Sequence, residues 1–96
     1  MTDFEWLQEW YISHCDGDWE HAFGLSLTTL DNPGWGLSID LDGTKLEDLP
    51  FNNIKREISE SDWMHCFVRD NKFEAAGDPL KLTQMIRVFR DWATSI

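Results

Sequence analysis

Between His14 and His21 the chain places a thiol, three carboxylates and two imidazoles within eight residues, HCDGDWEH, and His65-Cys66 repeats the pairing later. These residue types serve three chemistries: metal binding, thiolate attack and acid–base work by paired carboxylates. Zinc sites space their cysteines by about two to four residues and their histidines by about three to five, so that the side chains converge. His65 and Cys66 are adjacent, and on a strand they would point to opposite faces. That leaves Cys15 with His21 or Cys66 as the conceivable ligand set. Asp16, Asp18 and Glu20 open like a calcium loop, but His21 stands where that loop needs glycine, and Leu27 stands where it needs a bidentate Glu. Cys15 could attack with His14 or His21 as base, except that the surrounding carboxylates raise a thiol pKa instead of lowering it. A two-residue spacing of acids gives no sign of a sugar-sized cleft. The enzyme reading is therefore a small metal- or cysteine-dependent catalyst built on Cys15, His21 and the nearby carboxylates, and it stands as the alternative.

Local structure must position these groups. Asp3 to His14 carries Phe4, Leu7 and Tyr11 at helical spacing, with Trp6 and Trp10 on an adjoining face, so a helix that buries one aromatic stripe is expected. Thr2 or Asp3 would cap it, and Gly17 would end it. From His21 the period changes to two: Phe23, Leu25 and Leu27 alternate with small or polar residues up to Leu30. Asp31-Asn32-Pro33-Gly34 reads as a turn, with Asp31 holding it by a side-chain hydrogen bond and Gly34 taking positive φ. Trp35, Leu37, Ile39 and Leu41 then alternate as a second strand, completing a hairpin. Residues 44–52 read as a loop.

Ile54 to Ile58 reads as a third strand. Trp63 to Val68 is apolar on both faces, the pattern of a central or covered strand, and Lys72 to Ala76 is either a last short strand or a link. Asp78-Pro79 supplies an N-cap and first-turn proline for a closing helix, with Leu82, Met85, Ile86, Phe89, Trp92 and Ala93 on one face and Arg87 and Arg90 opposite. The expected fold class is α+β. It comprises an N-terminal helix, an antiparallel sheet of four to five strands built from hairpins, and a C-terminal amphipathic helix packed on the sheet. Residues 1–96 are expected to form one domain.

Charge narrows the function. The net charge is −10. Residues 1–44 hold nine acids and no Lys or Arg, whereas residues 45–96 hold nine acids and eight bases. A front half of this kind repels nucleic acid and anionic membranes and speeds capture of a basic partner. No Gly-rich phosphate loop or basic-aromatic patch is present. No apolar run reaches membrane-span length, and MTDFEW lacks the basic start of a secretory signal, so a cytoplasmic setting is expected. In that setting a Cys15–Cys66 disulfide is disfavoured, and Cys66 is expected to be a small buried apolar residue.

Five segments carry a family resemblance: WLQEWYISHCDGDWEH (6–21), TLDNPGW (29–35), DLDGTKLED (40–48), DWMHCFV (62–68) and KFEAAGDP (72–79). In this order and spacing the chain resembles the Immunity protein 53 family of bacterial polymorphic toxin systems. Ala76 is the one soft departure, at a place where glycine is frequent. The resemblance implies a cytoplasmic, non-enzymatic protein without cofactors that binds and neutralises a cognate toxin, a nuclease being one candidate. A monomer when free is expected, and the acidic charge argues against a nucleic-acid or membrane partner. The expected contacts are Asp16, Asp18, Glu20, His21 and Asp31, with Trp19 and Trp35 as aromatic anchors.

Overall fold

The computed structural model describes all 96 residues. The chain runs α1 (Asp3–His14), α2 (Trp19–Ala22), β1 (Leu25–Leu30), β2 (Gly34–Asp40), β3 (Ile54–Ser59), β4 (Asp62–Arg69), β5 (Lys72–Gly77) and α3 (Leu82–Ala93). This is the expected α+β arrangement, and residues 72–77 form a full fifth strand. The strands make one antiparallel sheet in the order β1-β2-β5-β4-β3. Two hairpins, β1-β2 and β4-β5, meet where Leu37 faces Ala75 and Ile39 faces Phe73. Residues 41–53 cross over to set β3 at the far edge.

Alternation along the strands decides which face is covered. Leu37 and Ile39, Met64 and Cys66, and Phe73 and Ala75 point to the side where α1 and α3 lie, and all six are buried. Phe89 of α3 is the hub of that layer: its ring lies 5.0 Å from Trp10, 5.1 Å from Phe73 and 5.8 Å from Trp6. Edge-on aromatic packing of this kind adds to the area each ring removes from water. The crossover joins the layer through the buried Leu41 and Leu46, and the Trp92 indole donates to the Pro50 carbonyl at 3.2 Å.

No element covers the opposite sheet face. Ser38 donates to Glu74 there, Lys72 pairs with Asp40, and the half-exposed Trp63, His65 and Phe67 lie across β4. The apolar look of both β4 faces therefore reflects aromatic residues on an open surface and not a strand covered on both sides.

Of the two caps expected for α1 the first is found, and several other local expectations are corrected. Thr2 caps α1 in a reciprocal pair with Glu5, accepting from the Glu5 N–H at 3.1 Å and donating its own N–H to the Glu5 carboxylate at 2.8 Å. Asp3 is freed from capping and buried, where it accepts from Arg87 Nε at 2.8 Å and Arg90 Nη1 at 3.2 Å. The arginines expected on the solvent side of the last helix thus clasp the first. Residues 19–22 form a helical turn where a strand was starting by pattern. The Asp16 side chain accepts from the N–H groups of Asp18 and Trp19, both at 2.9 Å, and so favours a local turn over the ladder.

In the hairpin turn Asp31 makes no side-chain hydrogen bond, and the Asn32–Pro33 peptide is cis. Gly34 does not take positive φ. It is required because a Cβ there would sit 2.4 Å from the Gly77 carbonyl oxygen and 3.3 Å from the Trp63 ring. Finally, α3 starts at Leu82, later than Asp78-Pro79 suggests. The fully buried Asp78 accepts from the N–H groups of Trp63 and Leu80 and from Lys81 Nζ, at 2.9, 2.9 and 2.7 Å. Three donors hold it in a turn that ties β4 to the helix, so it is unavailable as the cap.

Candidate functional site

The loop from α1 to β1 is built from its own carboxylates. Glu20 accepts from the N–H groups of Asp16 at 2.9 Å and Gly17 at 2.9 Å, and Gly17 turns the chain at φ +95°. N–H donors from its own residue, Asp16 and Gly17 hold the Glu20 carboxyl below its usual pKa, and those of Trp19 and Asp18 do the same for Asp16. Both groups stay ionised in a loop they also shape. Trp19 is 8% exposed, and its indole N–H donates to the Asp42 carbonyl at 2.8 Å. That bond brings the loop after β2 against the α1–α2 turn. Asp16, Asp18, Glu20 and Asp42 therefore gather at one end of the molecule around a buried indole.

Asp31 and Trp35 lie elsewhere. They flank the turn at the far end of β1, roughly 20 Å from His21 at about 3.3 Å per strand residue. Asp31 is exposed, while Trp35 is half-buried, with its indole N–H donating to the Pro79 carbonyl at 3.0 Å. The structure thus brings Asp16, Asp18, Trp19, Glu20 and His21 together and separates Asp31 and Trp35 from them. Within the first group the side chains of Asp18 and His21 are exposed and make no hydrogen bond, whereas those of Asp16, Trp19 and Glu20 also hold the loop.

The front half keeps most of its charge unpaired. Of its nine acids only Asp3 and Asp40 meet a cation, through Arg87, Arg90 and Lys72 from the second half; the other seven have none.

The thiols are placed differently. Cys15 is exposed and donates to the Tyr11 carbonyl at 3.3 Å. Cys66 is buried beneath the sheet, where burial pushes its thiol pKa up to about 12 and makes the thiolate inaccessible near neutrality. The His14 ring is engaged by the Trp10 carbonyl at 2.7 Å. No three His, Cys, Asp or Glu side chains converge on a common point.

Beside the acidic end runs a feature that residue types alone did not reveal. An apolar groove of about 550 Å³ lies between α1 and β1, lined by nine residues of which seven are hydrophobic, Phe4, Tyr11, Phe23 and Leu27 among them. Periodicity assigns Phe4, Leu7 and Tyr11 to the buried stripe. In the structure Trp6 and Trp10 pack on α3, while Phe4 stays 43% and Tyr11 37% exposed. The available signal was two apolar stripes on one helix, more than a single neighbouring helix can cover.

Comparison with protein families gives a match to Immunity protein 53 over residues 4–94. The chain belongs to that family. Comparison with curated proteins and with solved structures yields no significant match. Membership in the Immunity protein 53 family implies a cognate toxin protein as binding partner. No helix is long and apolar enough to cross a membrane.

Proposed function

We propose that this immunity protein neutralises its cognate toxin by binding it through the acidic α1–α2 end, against a basic surface of the toxin. The carrying observation is that four of the seven acids without a cation, Asp16, Asp18, Glu20 and Asp42, gather at this end, in a half that has no Lys or Arg. Such a surface steers a basic partner and sets the register of docking. A toxin that cleaves nucleic acid presents the right chemistry, because its substrate site is basic and the carboxylates stand where phosphates would. The role is stoichiometric binding and needs no cofactor. Trp19 supports the surface from beneath, and Asp18, His21 and Asp42 supply the polar contacts.

The test is the affinity for the cognate toxin domain, measured across a salt series. Affinity should fall steeply as salt rises, because charges separated in solvent are screened within about 8–10 Å at physiological ionic strength. Replacing Asp18 and Asp42 with Asn should flatten that dependence and leave the fold unchanged, since neither carboxylate makes a structural bond. Glu20 is a poorer probe, because its loss also frees the Asp16 and Gly17 N–H groups. Salt-independent binding would refute the electrostatic reading.

A further inference from the structure

We infer that the toxin is also gripped by strand addition: an extended segment of it pairs with β1 and sets alternate apolar side chains into the groove under α1. This rests on the toxin-binding reading above and names a second contact surface for it.

β1 is an edge strand, paired only with β2. The Asp40 N–H donates to the Gly24 carbonyl at 2.9 Å, which marks Gly24 and Asp40 as a bonded pair at the start of the ladder. In an antiparallel ladder bonded and non-bonded pairs alternate. Ser26 and Thr28 therefore spend their backbone groups on β2, while Leu25, Leu27 and Thr29 turn theirs outward. Edge strands are normally blunted by charge, proline or a bulge, because this outward row is a template for another chain. β1, with the sequence LSLTTL, has none of the three, and Leu27 is 40% exposed.

The groove completes the site. Leu25 and Leu27, whose backbone groups face outward, also line it, together with Phe4, Leu7, Tyr11 and Phe23. A strand laid about 4.8 Å beyond β1 would send every second side chain into that space. Main-chain bonds with alternating pockets are the mode of strand-addition recognition. A small molecule fits less well, because the Gln8 amide and the Tyr11 hydroxyl are the only polar side-chain groups among the lining residues, whereas the backbone row supplies a polar ladder for an extended chain.

Charge selects the occupant. The groove ends at Tyr11 and Phe23, beside the acidic α1–α2 turn, so a segment bearing Lys or Arg next to its apolar residues is favoured. A second copy would bring two unpaired acidic halves together and is disfavoured.

The experiment measures affinity for the inactivated toxin domain, by calorimetry, using two variants of the full chain. Leu27→Pro removes one outward N–H, a change edge strands accept, and Tyr11→Ser opens the groove wall at a partly exposed position. Each should weaken binding by roughly thirtyfold or more, the scale of an interface hot spot. Should Leu27→Pro fail to fold, Tyr11→Ser still decides. Tight binding by the wild type that Tyr11→Ser leaves unchanged would overturn strand addition and leave the toxin-binding reading standing. No binding by the wild type would overturn both. A wild-type dimer in sedimentation that uses β1 and dissociates in Leu27→Pro would give the edge to a second copy and also overturn the proposal.

Discussion

At one edge of the sheet β3 presents Lys55, Arg56 and Glu57, breaks its register near Ser59, and clamps Arg56 to Asp62 with two bonds of 2.8 and 2.9 Å. At the other edge β1 runs from Leu25 to Leu30 without a charge, a proline or an irregularity, beside a groove floored by its own leucines. Both strands end the same sheet and face the same risk of joining a foreign strand. Only one is defended. The difference teaches that an undefended edge is particular to β1, the side we propose for toxin binding, and is not a general property of this small sheet. The charge distribution agrees: unpaired acids dominate the half that contains β1, whereas β3 belongs to the half where the two signs nearly balance.

Substitutions at the core, at the helix clasp and at the β3 edge separate the two sides. The largest effect should come from Phe89→Ala, which removes the ring on which α1, α3 and β5 converge and which has no exposure. Emptying such a site costs about 3–5 kcal/mol, measurable by denaturant unfolding. Both edges should loosen together, and a loss confined to one edge would show that the aromatic layer does not carry both.

A smaller effect is expected from Asp3→Asn, which unties α1 from α3 and so loosens one wall of the groove without touching β3. The bond from Arg87, seconded by Arg90, holds the Asp3 carboxyl below its usual pKa. A carboxyl lowered in this way contributes stability that is present above its unfolded value and is lost as pH falls through the folded one. The wild type should therefore lose stability on acidification below about pH 4, and Asp3→Asn should remove that part of the decline while lowering the melting temperature at neutral pH. An unchanged acid profile would discount the clasp. The smallest effect is expected from Ile58→Gln on the β3 edge. Ile58 is 67% exposed, so toxin affinity should stay at the wild-type value and stability within about 0.5 kcal/mol. Weakened binding there would move the interface to the defended edge.

Much of the scaffold was legible because hydrophobic period reports directly on which face is buried. The bounds of α1, the β1-β2 hairpin and the apolar face of α3 follow from it. What escaped was decided by partners distant in sequence. Asp3 looked like a capping residue because nothing near it announces Arg87. Asp78 looked like a helix start because its donors on Trp63 and Lys81 are recognisable only once the strand pairing is known. Gly34 looked like a turn glycine, whereas its reason is the close approach of Gly77 from β5. The acidic cluster from Asp16 to His21 was readable as a surface feature, but Asp31 and Trp35 were joined to it by proximity along the chain, and a six-residue strand separates them. The groove was hidden because pattern says that Phe4 and Tyr11 are apolar, not whether anything remains to cover them.

The central claim is that the acidic side bearing β1 is where this immunity protein meets its toxin. Amide hydrogen exchange tests it most directly, with the chain compared free and saturated with the inactivated toxin domain. Exchange should slow at Leu25, Leu27 and Thr29 and across residues 16–21, with β3 amides unchanged. Protection concentrated on β3 or on the open sheet face, with β1 still exchanging as in the free protein, would contradict it.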